Sequence, residues 1–252
     1  MIDLRAETPI PPFTSFDYLG IADRFSPKNK IGEVSFTDLI HLPGVSDTDN
    51  PAKKFYLCAI TNPFQNTVGE TGKNYSLFMF AEKENEIEPI GHIDFLTKDK
   101  NPSEADFWDI GNLPLELTRS IDLLPPYIQK AVALFCPENK KGLGMEVISD
   151  YRHKVFGRDL WLFGLGYMEE QKAKWVRIAA DSSSHLSGTG RSFYEKWGAR
   201  SFTIQRKDVY GKPGHVVEKV ALTHLPYDYE AIVATTLGID LLRSESNSGN
   251  KI

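Results

Sequence analysis

The chain has few cysteines and no excess of positive charge, and each shortage excludes a class of function. Its two cysteines, Cys58 and Cys136, lie in apolar runs and are best explained as buried thiols in a reducing compartment, with a single disulfide as the alternative. Neither they nor the six scattered histidines have metal-ligand spacing, so we expect no metal. Because the net charge is −5, we expect no nucleic-acid partner and no membrane partner.

Long apolar runs are also missing. None approaches ~18 residues, the length that predicts a membrane-spanning helix. The start of the chain lacks the basic, then apolar, then small-residue order of a signal peptide, so we expect a cytoplasmic protein. The 252 residues are enough to bury a substantial core, in one large domain or two small ones.

The first part of the chain predicts an irregular arm and then an antiparallel meander. The arm, residues 1–30, contains four prolines. Residues 35–42 predict a short helix with Ser35 as its N-cap. Three apolar runs with short turns predict consecutive strands, the third with a bulge at Gly91: residues 55–60, 75–81 and 89–96. Residues 98–118 predict a long polar connection.

The most informative stretch begins at Ala131. Residues 131–136 form a short apolar run, which we interpret as a buried strand that Pro137 ends. Apolar residues then recur at helical spacing, which predicts a helix over residues 142–156 with Gly157 as its C-cap. The expected unit is therefore a strand, a sharp turn and a helix.

The turn of this unit has the properties of a phosphate site. Gly142 and Gly144 allow a ligand to approach the backbone closely, and Lys140 and Lys141 add positive charge. The backbone N–H groups at the start of the following helix have no intrahelical partner and favour an anion. The alternative is a tight connection that binds nothing, and the turn alone does not decide between the two.

The last part of the chain predicts a strand at residues 175–180 and a helix at residues 187–197, which ends before Gly198. Two closing strands (residues 199–205 and 216–222) and a terminal helix (residues 227–242) follow, and residues 160–167 are a strand or an insertion. This order predicts an α+β fold with a mixed, mostly antiparallel central sheet flanked by helices. The expected divisions are residues 1–30 as an arm, 31–225 as the main domain, and 226–252 as a helix and disordered tail.

Two motifs resemble those of the GNAT superfamily of acetyl-CoA-dependent N-acetyltransferases. Phe193-Tyr-Glu-Lys-Trp-Gly198 resembles the family's lYekxGF signature, although Ala199 replaces the final Phe. Asn139-Lys-Lys-Gly142-Leu-Gly144 resembles its acetyl-CoA loop, Arg/Gln-x-x-Gly-x-Gly/Ala, although Asn139 replaces Arg or Gln and the loop is one residue shorter. The motifs occur in the family's order, and the resemblance covers residues 30–225.

The resemblance implies a mechanism in which an amine attacks the acetyl-CoA thioester. Tyr194 would be the general acid that protonates the leaving thiolate, and otherwise it is a core aromatic. The strand that ends at Cys136 would pair with the pantetheine arm and offer a backbone N–H to the oxyanion, and the turn would hold the pyrophosphate. The implied coenzyme-binding residues are Leu134, Phe135, Cys136, Asn139, Lys140, Lys141, Gly142, Leu143, Gly144 and Met145.

The acceptor, the general base and catalysis itself stay open. The expected partners are an amine-bearing small molecule or protein and a second copy of the chain. His92 and Asp94 share a strand face, and the full set of candidate bases is His92, Asp94, Asp122, Glu138 and Asp181. The alternative function, motivated by Asn139 and the shortened loop, is a non-catalytic module that binds acyl-CoA or a protein. A different phosphate ligand is a third possibility.

Overall fold

The computed structural model of the chain describes residues 25–47, 50–65, 69–107, 120–136, 145–152, 156–180, 194, 200–207, 213–221 and 237. In this part of the chain, two α-helices cover one eleven-stranded sheet. The helices are α1 (Pro126–Phe135) and α2 (Phe156–Glu170). The strands are β1 (Asn29–Ile31), β2 (Val34–Phe36), β3 (Ile40–His41), β4 (Phe55–Gln65), β5 (Thr71–Lys83), β6 (Glu86–Lys98), β7 (Asn101–Phe107), β8 (Met145–Val147), β9 (Trp175–Ala180), β10 (Arg200–Lys207) and β11 (Pro213–Ala221).

The predicted meander is confirmed. Strands β4, β5 and β6 are the longest in the sheet, and each pairs antiparallel with the next along the chain. Met79 lies opposite Gly91 whereas the next residue, Phe80, lies opposite Pro89, so β6 carries one extra residue at this point. That is the bulge expected at Gly91.

The second half of the sheet contains a parallel pair. Strand β7 runs antiparallel to β6 and parallel to β9, which then pairs antiparallel with β11, as β11 does with β10. The main path through the sheet is β1-β2-β4-β5-β6-β7-β9-β11-β10. The predicted strand at residues 175–180 and the two closing strands are confirmed, and so is the α+β class of the fold.

The two helices lie on opposite faces of the sheet. Side chains alternate along a strand, so the odd-numbered residues of β5 face one side and the even-numbered residues the other. Leu77 and Met79 belong to the apolar core under α2, whereas Phe78 and Phe80 belong to the core under α1. The molecule therefore has three layers, with a core on each side of the sheet.

Two glycines let α2 lie close against β6. A Cβ atom on Gly164 would come within 2.6 Å of the Phe95 ring, and one on Gly91 within 2.8 Å of the Leu160 side chain. Both distances are shorter than real Cβ contacts. A larger side chain at either position would therefore push the helix away from the sheet.

The predicted strand at residues 131–136 is wrong, because these residues end helix α1. Pro126 occupies the start of the helix, where the missing N–H costs nothing and the fixed φ angle suits a helix. Ile128, Ala131, Val132 and Phe135 are buried at the helical spacing i, i+3, i+4 and i+7. A run of six apolar residues fits a strand or a buried helix equally well, and here packing against β6 favours the helix.

The predicted helix at residues 142–156 is also wrong. Residues 145–147 form strand β8, residues 149–151 form a 3₁₀ turn, and α2 begins only at Phe156. Gly157 therefore lies in the first turn of a helix and is not a C-cap. Residues 160–167, interpreted as a strand or an insertion, are the middle of α2.

Two smaller corrections concern the first half of the chain. Residues 35–42 do not form a helix with Ser35 as its N-cap, because β2 and β3 there pair with the same edge of β4. Residues 98–118 are not simply a connection, since β7 occupies part of them. Strand β7 follows β6 through a tight turn, with Lys98 opposite Asn101, and its other edge pairs with β9, which is distant in sequence. Local propensity does not capture pairing with a distant strand.

Several expectations fall outside the described residues. They are most of the N-terminal arm, the predicted helices at residues 187–197 and 227–242, and the predicted tail, except that Tyr194 and Leu237 are helical. Leu237 is buried in the core under α2, as is Phe25 from the arm. Among the helices described, none is long and apolar enough to cross a membrane.

Candidate functional site

The residues expected to bind pantetheine do not form a strand edge. Leu134 lies in the last turn of α1 with its side chain 46% exposed, and Phe135 is buried. The N–H of Cys136 donates to the carbonyl of Val132 at 2.9 Å, as a residue ending a helix does. This part of the chain therefore offers neither a strand to pair with pantetheine nor an uncommitted N–H at Cys136 for an oxyanion.

The loop expected to bind the pyrophosphate lies outside the described residues, and its last residue is not where the sequence predicted it. Met145 starts β8 and pairs with Ile93 of β6, so it does not lie at the start of a helix. The loop residues outside the described part of the chain are Asn139, Lys140, Lys141, Gly142, Leu143 and Gly144.

Tyr194, the expected general acid, lies beside α2. Its ring packs against Trp161 with the ring centroids 5.0 Å apart and the planes at 62°. It is partly buried against the core under α2. This contact is what a core aromatic would make. It also means that the tyrosine lies on the face of the sheet that α2 covers.

Among the described strands, β8 and β9 do not pair with each other, and we call the interval between them the opening. Strands β7 and β8 pair with the same edge of β6, where Asp106 lies opposite Leu96 and Met145 opposite Ile93. The chain thus leaves this edge of β6 after β7 and returns to it at β8. Strand β9 pairs with β7 as far as Ile178, and among the described strands β8 pairs only with β6. One edge of β8 therefore faces the opening.

Helix α2 starts immediately beyond this opening. A 3₁₀ turn, Ser149–Tyr151, connects β8 to the helix through Tyr151-Arg-His-Lys-Val-Phe-Gly-Arg158, a sequence with three Arg or Lys residues. A Cβ atom on Gly157 would meet nothing within 4 Å, so the backbone in the first turn is accessible. The sequence signal for this helix start is the recurrence of apolar residues at helical spacing from Phe156, at Leu160, Phe163 and Tyr167. A helix predicted to end before Gly157 excludes it.

The charges at the start of α2 are partly paired. Arg152 donates from Nε to the Val147 carbonyl at 2.8 Å, and its guanidinium is 4.0 Å from Glu146. Arg158 lies 2.7 Å from the buried carboxylate of Asp159. Burial raises the pKa of Asp159, and the neighbouring Arg158 partly offsets that rise. Arg152, whose side chain is more than half exposed, is therefore the better placed cation for a ligand.

A second polar region lies on the opposite face of the sheet, under α1. We name it the polar stripe. It crosses three strands, because Asp94 lies opposite Ser76 and Asn74 lies opposite Asn62. Its five residues are buried or nearly so: Asn62, Asn74, Ser76, His92 and Asp94.

The polar stripe contains atoms without hydrogen-bond partners among the described residues. They are the Oδ1 atoms of Asn62, Asn74 and Asp94 and both ring nitrogens of His92. His92 Nε2 is 3.1 Å from Asp94 Oδ2, and Asn74 donates to Ser76 Oγ at 3.1 Å. Buried polar atoms are normally satisfied, so this concentration of exceptions marks the stripe as a candidate site.

Three of the five candidate bases lie in the described part of the chain. His92 and Asp94 adjoin each other in the polar stripe, on the face that their spacing predicted. Asp122 lies in a 3₁₀ turn before α1, and Glu138 and Asp181 lie outside the described residues.

No family model matches the chain, and neither the curated proteins nor the solved structures searched contain a match to it. The function therefore has to be argued from the geometry of this chain and from its two motifs.

Proposed function

We propose that the chain is an N-acyltransferase that uses acetyl-CoA as its co-substrate and an amine as its acceptor. The observation that carries the proposal is the opening between β8 and β9 with the start of α2 beside it. We place the pyrophosphate at this helix start and not at residues 139–144.

The exposed edge of β8 suits the pantetheine arm. Pantetheine contains two amide groups, and an extended amide chain can add to a strand edge as an extra strand does. Met145–Val147 pairs with β6 along one edge, and its other edge faces no described strand. Apart from the Val147 carbonyl, which accepts from Arg152, backbone groups on that edge face no described strand and can pair with the arm and, at the thioester, with the oxyanion.

The start of α2 suits the pyrophosphate for three reasons. The first N–H groups of this 15-residue helix lack intrahelical partners, and the helix dipole favours an anion there. Gly157 leaves room above the backbone. Arg152 and Lys154 supply positive charge from the preceding connection.

The reaction needs little more than positioning and one proton donor. A neutral amine attacks the thioester carbonyl, the new C–N bond forms, and the C–S bond breaks with the electron pair leaving on sulfur. Tyr194 would donate its phenolic proton to that thiolate. The nitrogen loses its extra proton to solvent water, from which the tyrosine phenolate is reprotonated. Tyr194 packs on Trp161 of α2, the helix that begins at the proposed pyrophosphate site, and this position is compatible with the role.

A non-catalytic module that binds acyl-CoA is the second candidate. The edge-to-face contact between Tyr194 and Trp161 favours it, because a ring held in the core is also what a structural tyrosine would show. The two functions share the coenzyme site and differ only in whether acyl transfer follows.

Coenzyme binding is tested by calorimetry with CoA and acetyl-CoA on the full chain and on two pairs of variants. Arg152→Ala and Gly157→Ala should each weaken binding by about tenfold or more, since one removes a cation and the other fills the space over the backbone. Lys140→Ala and Lys141→Ala are the matched controls and should change affinity by less than about twofold. If the two lysine variants lose affinity and Arg152→Ala and Gly157→Ala do not, the pyrophosphate binds at residues 139–144 instead. If the wild type binds neither CoA nor acetyl-CoA, both proposed functions are refuted.

Catalysis is tested by thiol release from acetyl-CoA across a panel of amines. Tyr194→Phe should lower turnover by about 100-fold while the affinity for CoA stays unchanged. Turnover equal to that of the wild type would remove Tyr194 from the mechanism. Tight CoA binding with no thiol release from any amine would favour the non-catalytic module.

A further inference from the structure

We propose that His92, Asp94 and Cys136 bind a divalent transition-metal ion, with zinc as the best fit. One ligand atom from each of the three side chains lies within 4.8 Å of the others. The cluster lies under α1 and does not depend on the proposed coenzyme site, which is formed by β8 and α2.

Packing holds the three ligands together. His92 and Asp94 are two residues apart on β6 and therefore point to the same face of the sheet. Cys136 comes from the end of α1, where Phe135 stacks on the His92 ring with the centroids 4.7 Å apart. Phe78 stacks on the same ring at 6.1 Å. These contacts fix both the orientation of the imidazole and the position of the helix end.

The state of His92 is the independent observation that points to a ligand. Its side chain is completely buried, and neither ring nitrogen makes a hydrogen bond with a described residue, although Nε2 lies 3.1 Å from Asp94 Oδ2. Asp94 Oδ1 has none there either. Such groups are costly to bury, and coordination to a metal ion would use a nitrogen lone pair of the ring and an oxygen of the carboxylate.

The ligand types identify the metal. A neutral imidazole, a carboxylate and a thiolate carry two negative charges, which a divalent ion balances in a buried site. Thiolate and imidazole select zinc and its neighbours, whereas magnesium and calcium prefer oxygen ligands only. Asp94 is partly exposed and Cys136 half-buried, so an ion can enter. Three protein ligands leave one position of a tetrahedral zinc open.

A metal ion at this cluster would run against the expectation that the chain binds no metal. Motif spacing detects two closely spaced pairs of ligands, as in a zinc finger. Here a strand supplies two ligands and the end of a helix supplies the third, so only the packing of α1 on β6 brings them together. Metal binding would also remove His92 and Asp94 from the candidate bases.

The test begins with metal content. Elemental analysis of the purified full-length chain should find about one zinc ion per chain. Removal by a chelator and addition of Co²⁺ should give the sulfur-to-cobalt charge-transfer absorption of a thiolate ligand. Cys58→Ala leaves Cys136 as the remaining thiol and should keep this band, whereas Cys136→Ser should abolish it.

Binding and folding are measured together on Cys136→Ser and on one further variant, Asp94→Asn. Asp94→Asn and Cys136→Ser should each weaken Zn²⁺ binding by at least about 100-fold, while their far-UV circular dichroism matches that of the wild type. Chelation should lower the melting temperature of the wild type but not that of Cys136→Ser. A wild-type chain that takes up neither Zn²⁺ nor Co²⁺, or a Cys136→Ser variant that keeps both, would overturn the proposal whatever the outcome with CoA.

Discussion

The two faces of the sheet differ in what they bury. The face under α2 is filled with aromatic and aliphatic side chains, and the buried hydroxyl of Tyr167 there is hydrogen-bonded to Thr61 at 2.7 Å. The face under α1 has a smaller apolar core, and the polar stripe runs beside it. Both faces belong to the same strands, so the contrast arises from alternate residues of one sequence.

This difference suggests that the α2 face contributes mainly to stability and the polar stripe mainly to binding. Apolar burial is the main favourable term in folding, so the α2 face carries most of the stability. Buried polar atoms without partners lower stability, and they persist where something other than packing requires them. We therefore expect substitutions under α2 to affect chiefly stability and those in the polar stripe to affect chiefly binding.

The largest expected effect is from Trp161→Ala. Trp161 is completely buried on α2 and contacts the rings of Phe95 and Tyr194. Its removal should lower the free energy of unfolding by about 3–5 kcal/mol, measured by urea denaturation. Trp175→Ala is the control, because Trp175 is 39% exposed and should cost much less. Equal losses at the two positions would contradict the assignment of stability to the α2 face.

Two glycines of the same helix should respond in opposite directions. Gly164→Ala forces a Cβ atom to within 2.6 Å of the Phe95 ring and should destabilise the chain by about 1–3 kcal/mol. Gly157→Ala meets open space, so the better helix propensity of alanine should stabilise the chain by up to about 1 kcal/mol. Thermal unfolding of the two variants measures both. Destabilisation by Gly157→Ala would mean that the first turn of α2 is not open.

The sequence predicted the meander because each strand is a long apolar run bounded by turn residues. It also contained the signal for α1, since Ile128, Ala131, Val132 and Phe135 recur at helical spacing after Pro126. Residues 131–136 alone are too short to show that periodicity. A strand at residues 131–136 puts the next predicted helix at residues 142–156, which ends where α2 in fact begins.

Other features could not be predicted from the sequence. Strand β8 has only three residues, and it exists because β6 offers an unpaired edge beyond β7. Alternation predicted that His92 and Asp94 share a face, but the approach of Cys136 depends on how α1 packs. Local patterns cannot specify such contacts, because they join elements that are far apart in the chain.

The polar stripe should show a strong coupling between Asn74 and Ser76. Ser76→Ala removes the acceptor of the Asn74 side chain and should cost about 1–3 kcal/mol, because it leaves a buried donor unsatisfied. The double variant Asn74→Leu with Ser76→Ala removes both partners and should cost less than Ser76→Ala alone. Urea denaturation of the four proteins of the cycle measures the coupling. Additive losses would show that these atoms are satisfied in some other way.

The smallest expected effect concerns Cys58, on the same face. Burial raises the pKa of its thiol to about 12, although the contact of Sγ with the Thr37 carbonyl partly offsets this. The folded chain therefore keeps the thiol proton at a pH where the unfolded chain has released it, so stability falls as the pH rises above about 9. Relative to Cys58→Ala, the wild type should lose roughly 1 kcal/mol of stability between pH 7 and pH 10. Urea denaturation of both proteins at each pH measures this difference, and parallel losses would mean that Cys58 is open to solvent and that packing on the α1 face is looser than the described contacts indicate.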